Sequence, residues 1–263
     1  MECSGELVEL LQIVAGHDFH NVRRAEVRNL LLEGQDRLLG TFSERIGRYA
    51  ERVLRRRGIE VRTKTLVTGA DATSVTLSDG SVVPTRTIIW SAGVRPNDAS
   101  HDPQLPKYRN GRIRVDACLR VPDRSRAYAL GDVASPGDQG PALPMLSPPA
   151  MQGGRYIARA ILDEIRTGQP PERPFHYVDK GTMATIGRNA GVAHLPAGLE
   201  LTGFLGWATW LVVHMYYLVG FRNRLSAIAS WAWDYLRFDR PIRIILESRR
   251  SEPAVRGPIP PGS

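Results

Sequence analysis

The chain has 263 residues, enough for one large domain or two small ones, and its 42% hydrophobic and 24% charged residues exclude disordered and collagenous proteins. Two cysteines far apart, Cys3 and Cys118, exclude a disulfide framework and a C-x-x-C motif and favour a reducing compartment. The net charge of +8 at pH 7 raises nucleic acid and anionic lipid as partners.

The first 90 residues alternate predicted helices and strands. Leucine and valine at i, i+3, i+4 and i+7 predict a helix over residues 1–15. A second helix is predicted through residue 57, with Ser43 as its cap and Gly58 as its end. Apolar, β-branched runs between turn residues predict strands at 27–32, 59–63 and 86–90, with a hairpin or meander over 65–83.

The rest of the chain contains two proline-rich loops and a helical end. A loop rich in Pro, Asn and Asp covers 95–110, and a second loop with five prolines precedes a predicted helix from about 150 to 166. Strands are predicted at 113–115, 126–130 and near 174–195, followed by a helical, aromatic tail and a disordered end at 251–263. This order of elements is typical of the later part of a nucleotide-binding α/β unit.

Three short motifs carry candidate chemistry. Glu33 ends an apolar strand before Gly, where dinucleotide folds place an acidic residue on the ribose hydroxyls, although a surface Glu at a strand end has the same pattern. In T-I-I-W-S-A-G-V-R-P-N (87–97), small residues after a predicted buried strand let a flat ligand approach the backbone, although an ordinary strand and tight turn has the same pattern. In Y-A-L-G-D (128–132), Gly allows close approach and Asp accepts from a polyol hydroxyl or caps a helix.

Residues 1–247 resemble the type II NADH dehydrogenase family, the single-subunit, non-pumping NADH:quinone oxidoreductases among the flavoproteins with two dinucleotide-binding domains. The stretches that carry the resemblance occur in the family's order, and together they are far more specific than any one alone. They are V-R-N-L-L-L-E-G-Q-D-R-L-L (27–39), 87–97, 128–132, A-M-Q-G-G-R-Y-I-A (150–158), F-H-Y-V-D-K-G-T-M-A-T-I-G-R (175–188), and the tail at 203–224 and 231–236.

The resemblance implies an α/β fold with two partial dinucleotide-binding domains. An incomplete Rossmann-like NAD(H)-binding domain would cover 1–92, and the returning segment of the FAD-binding domain would cover 93–168. An α+β membrane-attachment region would cover 169–250, ahead of the disordered tail at 251–263. No two of the 25 glycines stand two residues apart, so neither G-x-G-x-x-G loop is present. We therefore expect the sequence to be the C-terminal part of a longer enzyme.

The resemblance also implies FAD and NADH as cofactors and assigns residues to them. Glu33 would bind the NADH ribose, while Ala92 and Gly93 would lie near the nicotinamide and the flavin. Gly131 and Asp132 would meet the ribityl chain of FAD. The other assigned residues would approach the flavin ring, from the start of a helix and from the last region, and they are Ala150, Met151, Gln152 and Lys180.

Gln152 is also assigned to the quinone side of the flavin. One helical turn earlier, where the family has an Ala-Gln pair, this chain has Ser147-Pro148. From residue types alone, Gln152 fits the start of a helix and Lys180 fits an ordinary surface lysine. No metal site is predicted, because the six histidines show no ligand spacing beyond H-D-F-H at 17–20, and two histidines so placed on a loop are usually solvated.

The tail predicts attachment to a membrane. Residues 201–221 contain no Asp, Glu, Lys or Arg, which is long enough for a spanning helix. Four Trp within 207–233 and seven Arg within 222–250 favour instead an amphipathic helix pair on the membrane surface. We expect peripheral attachment through about residues 203–247 at the cytoplasmic face of the cell membrane. A core or homodimer-forming aromatic face is the remaining alternative, and nucleic acid is not a predicted partner.

The predicted function is hydride transfer from NADH to FAD, followed by electron transfer to a membrane quinone. Two alternatives stay open. One is a non-catalytic fragment that cannot hold FAD alone, because both glycine loops that would cradle the pyrophosphates are missing. The other is a basic membrane-surface binding module with no redox role.

Overall fold

The computed structural model describes residues 1–17, 27–96, 104–124, 126–137, 143–218 and 220–237. They form two units, of which the first comprises residues 1–88 with the chain from Gly181 onward and the second comprises residues 89–180. The predicted domains were defined by the cofactor that each would bind, whereas these units are defined by contacts within the chain. The domain ends at 92, 168 and 250 therefore stay predictions. The predicted disordered tail and most of H-D-F-H lie outside the described residues.

The first unit begins with alternating helices and strands, as the sequence predicts. Helix α1 (Glu2–His17), strand β1 (Asn29–Leu32), helix α2 (Glu44–Arg56) and strand β2 (Ile59–Arg62) follow in order. β1 and β2 pair in parallel over their whole lengths. Parallel neighbours need a crossover connection, and α2 supplies it here.

One buried apolar cluster joins these elements to the later part of the same unit. The predicted cap is confirmed, since the Ser43 hydroxyl accepts the Ile46 N–H and starts α2. The apolar face of α2 then turns towards the sheet. Residues from both ends of the chain bury their side chains together, and they are Val8, Leu38, Phe42, Ile46, Ala50, Leu54, Ile59, Val61, Ala184, Ile186, Ala190 and Val192.

The predicted meander follows β2 as three antiparallel strands, β3 (Val67–Ala70), β4 (Ser74–Leu77) and β5 (Val82–Pro84). The Asp71 carboxylate closes the first turn by accepting the N–H groups of Thr73 and Ser74 at 2.7 and 2.8 Å. A bond from the Ser74 hydroxyl is the largest of several that lower the pKa of Asp71 to about 2. The carboxylate therefore stays ionised in this turn well into the acid range.

The second unit is arranged around helix α3 (Ser147–Thr167). Two-residue strands β6 (Ile113–Arg114) and β7 (Ala134–Ser135) pair in parallel, and a 3-10 turn over Gly131–Val133 leads into β7. Seven buried apolar residues form the core, namely Val115, Leu119, Val121, Ala129, Ala134, Leu143 and Ile157. α3 begins at Ser147 rather than at about 150, because the two prolines after Ser147 fit a first helical turn.

Two predicted strands are absent from the described residues. Residues 86–90 form no strand, and Ile89 and Trp90 are 52% and 61% exposed, so the prediction of a buried strand was wrong. Residues 126–130 make only an isolated bridge, between Tyr128 and Arg120. In both places an apolar run is present, but a strand also needs a neighbouring backbone to complete its hydrogen bonds.

The chain returns to the first unit with a three-stranded antiparallel sheet and two helices. Strands β8 (Thr182–Thr185), β9 (Gly191–Leu195) and β10 (Leu199–Thr202) pair in the order β10-β9-β8. The strands predicted near 174–195 therefore start at Thr182. Helices α4 (Gly203–Tyr217) and α5 (Phe221–Arg237) confirm the helical tail over the described residues. Within that part of the chain, no helix is both long and apolar enough to cross a membrane.

Helix α4 packs mainly on β9, and two glycines allow its close approach. A Cβ added at Gly206 would lie 2.5 Å from the carbonyl oxygen of Gly191, and a Cβ added at Gly191 would lie 2.6 Å from the backbone nitrogen of Trp207. Both distances are far below ordinary contact, and both neighbours are backbone atoms that cannot turn aside. The helix therefore reaches the sheet at one point with no side chain between the two backbones.

Replacing Gly206 with Ala is expected to lower the free energy of unfolding by about 2 kcal/mol, in the range found for overpacked sites. The sign is the informative part, because helix propensity alone favours Ala over Gly by about 1 kcal/mol. Thermal and urea denaturation, followed by circular dichroism, would measure the change.

The matched control is Gly40→Ala, because a Cβ at Gly40 meets nothing within 4 Å. We expect that variant to differ from the parent by less than about 0.5 kcal/mol, as is usual for surface positions. A Gly206→Ala protein as stable as the parent would contradict the packing described for α4 and β9.

Candidate functional site

Glu33 lies directly after β1, at the carboxyl end of the parallel β1–β2 pair. Its backbone N–H donates to the Arg62 carbonyl at 2.9 Å, and its carbonyl accepts the Thr65 N–H at 3.0 Å. The half-buried carboxylate accepts the Gln35 N–H through Oε1 at 2.9 Å, and within the described residues Oε2 makes no hydrogen bond. Because ligands bind outside the carboxyl ends of strands in open α/β sheets, Oε2 is available to a hydroxyl of a bound ligand.

Gly131 and Asp132 form a tight turn next to the start of α3. Gly131 has φ +70°, and a Cβ added there would lie 3.4 Å from the Ala150 Cβ, so any side chain would be strained and would close this gap. Asp132 is exposed, and among the described residues its carboxylate has no hydrogen bond or ion pair. The turn thus presents bare backbone and a free carboxylate beside the helix.

The start of α3 has fewer backbone donors than an ordinary helix start. Pro148 and Pro149 have no N–H group, and the N-cap, Leu146, provides no side-chain cap. Ser147 therefore carries the available N–H of the first turn. No acidic residue lies in that turn, so the partial positive charge of the helix end is not neutralised by its own side chains. A contact between helix-terminal N–H groups and the edge of a flavin stays a prediction. Because of the two prolines, Ser147 is the first-turn residue that could donate in such a contact.

Gln152 lies in the second turn of α3 and binds an extended segment that precedes β8. Its Nε2 donates to the Val178 carbonyl at 2.9 Å, and its Oε1 accepts the Val178 N–H at 3.0 Å. This pair of bonds fixes the segment that carries Lys180, whose side chain is exposed. An amide has two donor hydrogens and two acceptor lone pairs, so the Gln152 side chain keeps one of each for a ligand.

Ala92 and Gly93 lie in an exposed, irregular segment of the second unit. The Trp90 indole N–H donates to the Ala92 carbonyl at 2.9 Å, and Gly93 has φ +76°. The local bend of the motif is therefore present, although no strand leads into it. Eight of the nine predicted site residues belong to the second unit, whereas Glu33 belongs to the first.

The predicted residues of the second unit fit a flavin dinucleotide in their chemistry. The Asp132 carboxylate can accept hydrogen bonds from polyol hydroxyls, and Gly131 leaves space that a Cβ would fill. The Gln152 amide retains one donor and one acceptor for the polar edge of a flavin ring. The Gln35 bond leaves Glu33 one free oxygen for a ribose hydroxyl. Among the described residues, no three His, Cys, Asp or Glu side chains group as metal ligands.

Arg112 is the feature near this turn that sequence reasoning missed. Its side chain is 7% exposed, and its guanidinium donates to the carbonyls of Ala134 and Leu143. Tyr128 was also missed as a contact, although it lies in a predicted motif, and its hydroxyl donates to the Glu164 carboxylate at 2.8 Å. Burial and this bond raise the pKa of Tyr128 to about 12. Nothing in the sequence marks either pairing, because both join residues more than 20 positions apart.

Two family profiles match the chain in succession. Residues 2–154 match the family described as pyridine nucleotide-disulphide oxidoreductase, and residues 180–239 match the NDH2 C-terminal domain. The first match covers α1 to the start of α3, and the second covers β8 to α5. Together they include every predicted site residue, with Lys180 at the first position of the second match.

The proteins that this chain resembles include type II NADH:quinone oxidoreductases. The Mycobacterium tuberculosis protein Ndh is 31% identical over 245 residues, which are 90% of this chain and 52% of that protein. The mitochondrial internal alternative NAD(P)H-ubiquinone oxidoreductase A1 of Arabidopsis thaliana is 29% identical over 92% of this chain and 50% of its own length. The chain thus spans about half the length of the relatives it matches.

The fold has a counterpart of known structure. NDH2 from Plasmodium falciparum, solved in complex with NADH, superimposes with a TM-score of 0.79 at 17% identity, covering 91% of this chain and 64% of that one. At this identity the likeness concerns the fold alone. The family rests instead on the profiles and the relatives: the chain belongs to the pyridine nucleotide-disulphide oxidoreductases, whose profile matches more than half of it, and, through the NDH2 C-terminal match and the named relatives, to the type II NADH dehydrogenase family.

Proposed function

We propose that the protein acts in FAD-dependent oxidation of NADH with a membrane quinone as electron acceptor. The observation that carries the proposal is the Gly131–Asp132 turn at the start of α3, in a chain of this family. FAD, when bound, supplies the hydride-accepting and electron-donating chemistry, and the protein supplies position and electrostatics. No nucleophile or metal is required of the side chains.

Asp132 would accept hydroxyl groups of the ribityl chain, and Gly131 would let that chain lie against the backbone. Ala150 and Met151 would border the ring from the first turns of α3, and the unneutralised helix end would favour its electron-rich edge. Ala92, Gly93 and Lys180 would approach the ring from two exposed segments of the same unit. Each of these roles uses a group that the fold leaves accessible.

Glu33 would select the nicotinamide cofactor. Its free Oε2 would accept a ribose hydroxyl of NADH, whereas a 2′-phosphate in the same place would meet the negative carboxylate. The Gln35 bond holds the carboxylate at the strand end before the ligand arrives, so less side-chain freedom is lost on binding. A preference for NADH over NADPH follows.

Gln152 would serve the quinone side of the flavin. Both of its bonds to Val178 run to one residue of the extended segment, which leaves the outward donor and lone pair for a quinone oxygen. Ser147 and Pro148, one turn earlier, offer one hydroxyl where the family has an amide. Gln152 therefore carries more of this contact here.

The membrane would be reached through α4 and α5. Large apolar side chains on both helices are exposed, and the most exposed are Phe204 58%, Leu205 64%, Val212 66%, Tyr216 69% and Phe221 75%. Aromatic residues of this kind favour the interface between headgroups and acyl chains. Attachment would be peripheral, at the cytoplasmic face of the cell membrane, and a homodimer through the same aromatic surface is the alternative occupant.

Replacing Asp132 with Asn is expected to weaken FAD binding by about 10- to 100-fold, as expected for the loss of one or two charge-assisted hydrogen bonds. Titration of the purified chain with FAD, followed by flavin fluorescence and absorbance, would measure it. The control Asp163→Asn changes an exposed carboxylate of α3 in the same unit and should leave binding unchanged. Equal FAD affinity in the parent and Asp132→Asn proteins would contradict the assignment.

Replacing Glu33 with Gln is expected to reduce the preference for NADH over NADPH by about tenfold, because the repulsion of a 2′-phosphate disappears. Binding of both nucleotides would be compared by calorimetry. Asp36→Asn is the matched control, an exposed carboxylate three positions later. If Asp36→Asn changes the preference as much as Glu33→Gln, the effect is general electrostatics and the proposed contact is wrong.

Replacing both Phe221 and Trp231 with Ser is expected to lower binding to vesicles of mixed anionic and zwitterionic lipid by at least about tenfold, because two interfacial anchors are lost. Sedimentation with vesicles would measure it. Val82→Ser removes a comparably exposed apolar residue, on β5, and serves as the control. Vesicle binding equal to that of the parent would contradict membrane attachment through these residues. If the double variant also lost a dimer that the parent forms in solution, the aromatic surface would be a protein interface instead.

A further inference from the structure

Arg112 is a buried cation in the core of the second unit. Its side chain is 7% exposed, and among the described residues it forms no ion pair with a carboxylate. Burying a guanidinium without a paired carboxylate is unfavourable unless good hydrogen bonds replace its water. Apolar side chains of similar volume often replace buried charges at no cost in stability, so the charge requires a reason beyond packing.

The guanidinium donates hydrogen bonds to two backbone carbonyls. Nη1 donates to the Leu143 carbonyl at 3.2 Å and Nη2 donates to the Ala134 carbonyl, while Nε is buried and has no partner among the described residues. Ala134 and Leu143 both belong to the buried cluster of this unit. The planar fork therefore bridges two backbone segments that β6 and β7 alone do not join.

Both segments lead to residues proposed to hold FAD. Ala134 comes two positions after Asp132, at the end of the Gly131–Val133 turn. Leu143 comes four positions before Ser147, where α3 begins and carries the helical residues of the proposed site. Gly131 and Ala150 also bring the turn close to the helix. Arg112 thus connects the segment that follows the Gly131–Val133 turn to the segment that leads into α3.

The electrostatic surroundings of Arg112 point to the same turn. Burial lowers the pKa of Arg112, and the Asp132 carboxylate acts in the opposite sense, favouring the charged guanidinium. The carboxylate of the proposed site therefore partly offsets the effect of burial on Arg112.

We infer that Arg112 is a positioning residue for the flavin site, which holds the Gly131–Asp132 turn and the approach to α3 in fixed relation. The inference rests on the proposed function, since the turn is assigned to FAD there. Arg112 touches no ligand in this arrangement. It acts through the Ala134 and Leu143 carbonyls.

The test is Arg112→Lys, which keeps the charge but loses the planar fork and so cannot hold both carbonyls in the same way. We expect FAD binding at least about tenfold weaker, because the turn is no longer fixed for the ligand, and a shifted flavin absorbance spectrum. A double-mutant cycle with Asp132→Asn should show strong coupling, since both residues act on one contact. Arg114→Lys is the matched control, an exposed arginine two positions later that lies over the Tyr108 ring.

Hydrogen–deuterium exchange on the FAD-free protein provides a readout that does not depend on the cofactor. Arg112→Lys should speed exchange at residues 131–136 and 143–150, while the amides of α2 and β2 in the other unit stay protected. A lower melting temperature with unchanged exchange in those two segments, or with unchanged FAD affinity and spectrum, would overturn the inference and leave Arg112 a stabilising residue. Failure of the parent chain to bind FAD would instead contradict the proposed function, and the exchange pattern would still decide the role of Arg112.

Discussion

Parallel pairing of β1 with β2 is the constraint on which the arrangement of the first unit depends. Parallel pairing requires a crossover connection, and helix α2 provides it. The buried face of α2 packs against the sheet. The same pairing sets Glu33 at the carboxyl end of a strand, where the Gln35 N–H orients its carboxylate. Ile186 and Val192, far along the chain, complete the core beneath. Without that late sheet, the strand end bearing Glu33 would rest on an incomplete core.

Sequence periodicity predicted the elements whose stability is local. α1, α2 with its Ser43 cap, the meander and the helical tail all follow from spacing, capping and turn residues within a few positions. The strands at 86–90 and 126–130 were not formed, because a strand depends on a partner that its own residues do not specify. The start of α3 was misjudged for a smaller reason, since prolines that usually mark a loop also fit a first helical turn.

The candidate site divides in the same way. The motifs predicted a strand end at Glu33, a glycine turn at Gly131–Asp132 and the start of a helix before Gln152, and the structure has each of them. The strand predicted before Ala92 is not formed. The interactions that hold these pieces were not predictable. Gln152 with Val178 and Arg112 with Leu143 join positions 26 and 31 apart, and neither pairing leaves a periodic or compositional trace.

Helix α4 meets two opposite requirements within 15 residues. At Gly206 helix α4 must present no side chain at all, so that its backbone can lie against Gly191. On other sides the same helix exposes Leu205, Val212 and Tyr216, which a protein in water alone would be expected to cover. The glycine contact fixes the helix to the sheet, and a fixed helix presents its apolar residues as a rigid surface. A rigid surface loses little conformational freedom on contact with lipid or with a second chain, so the packing of Gly206 also favours that contact.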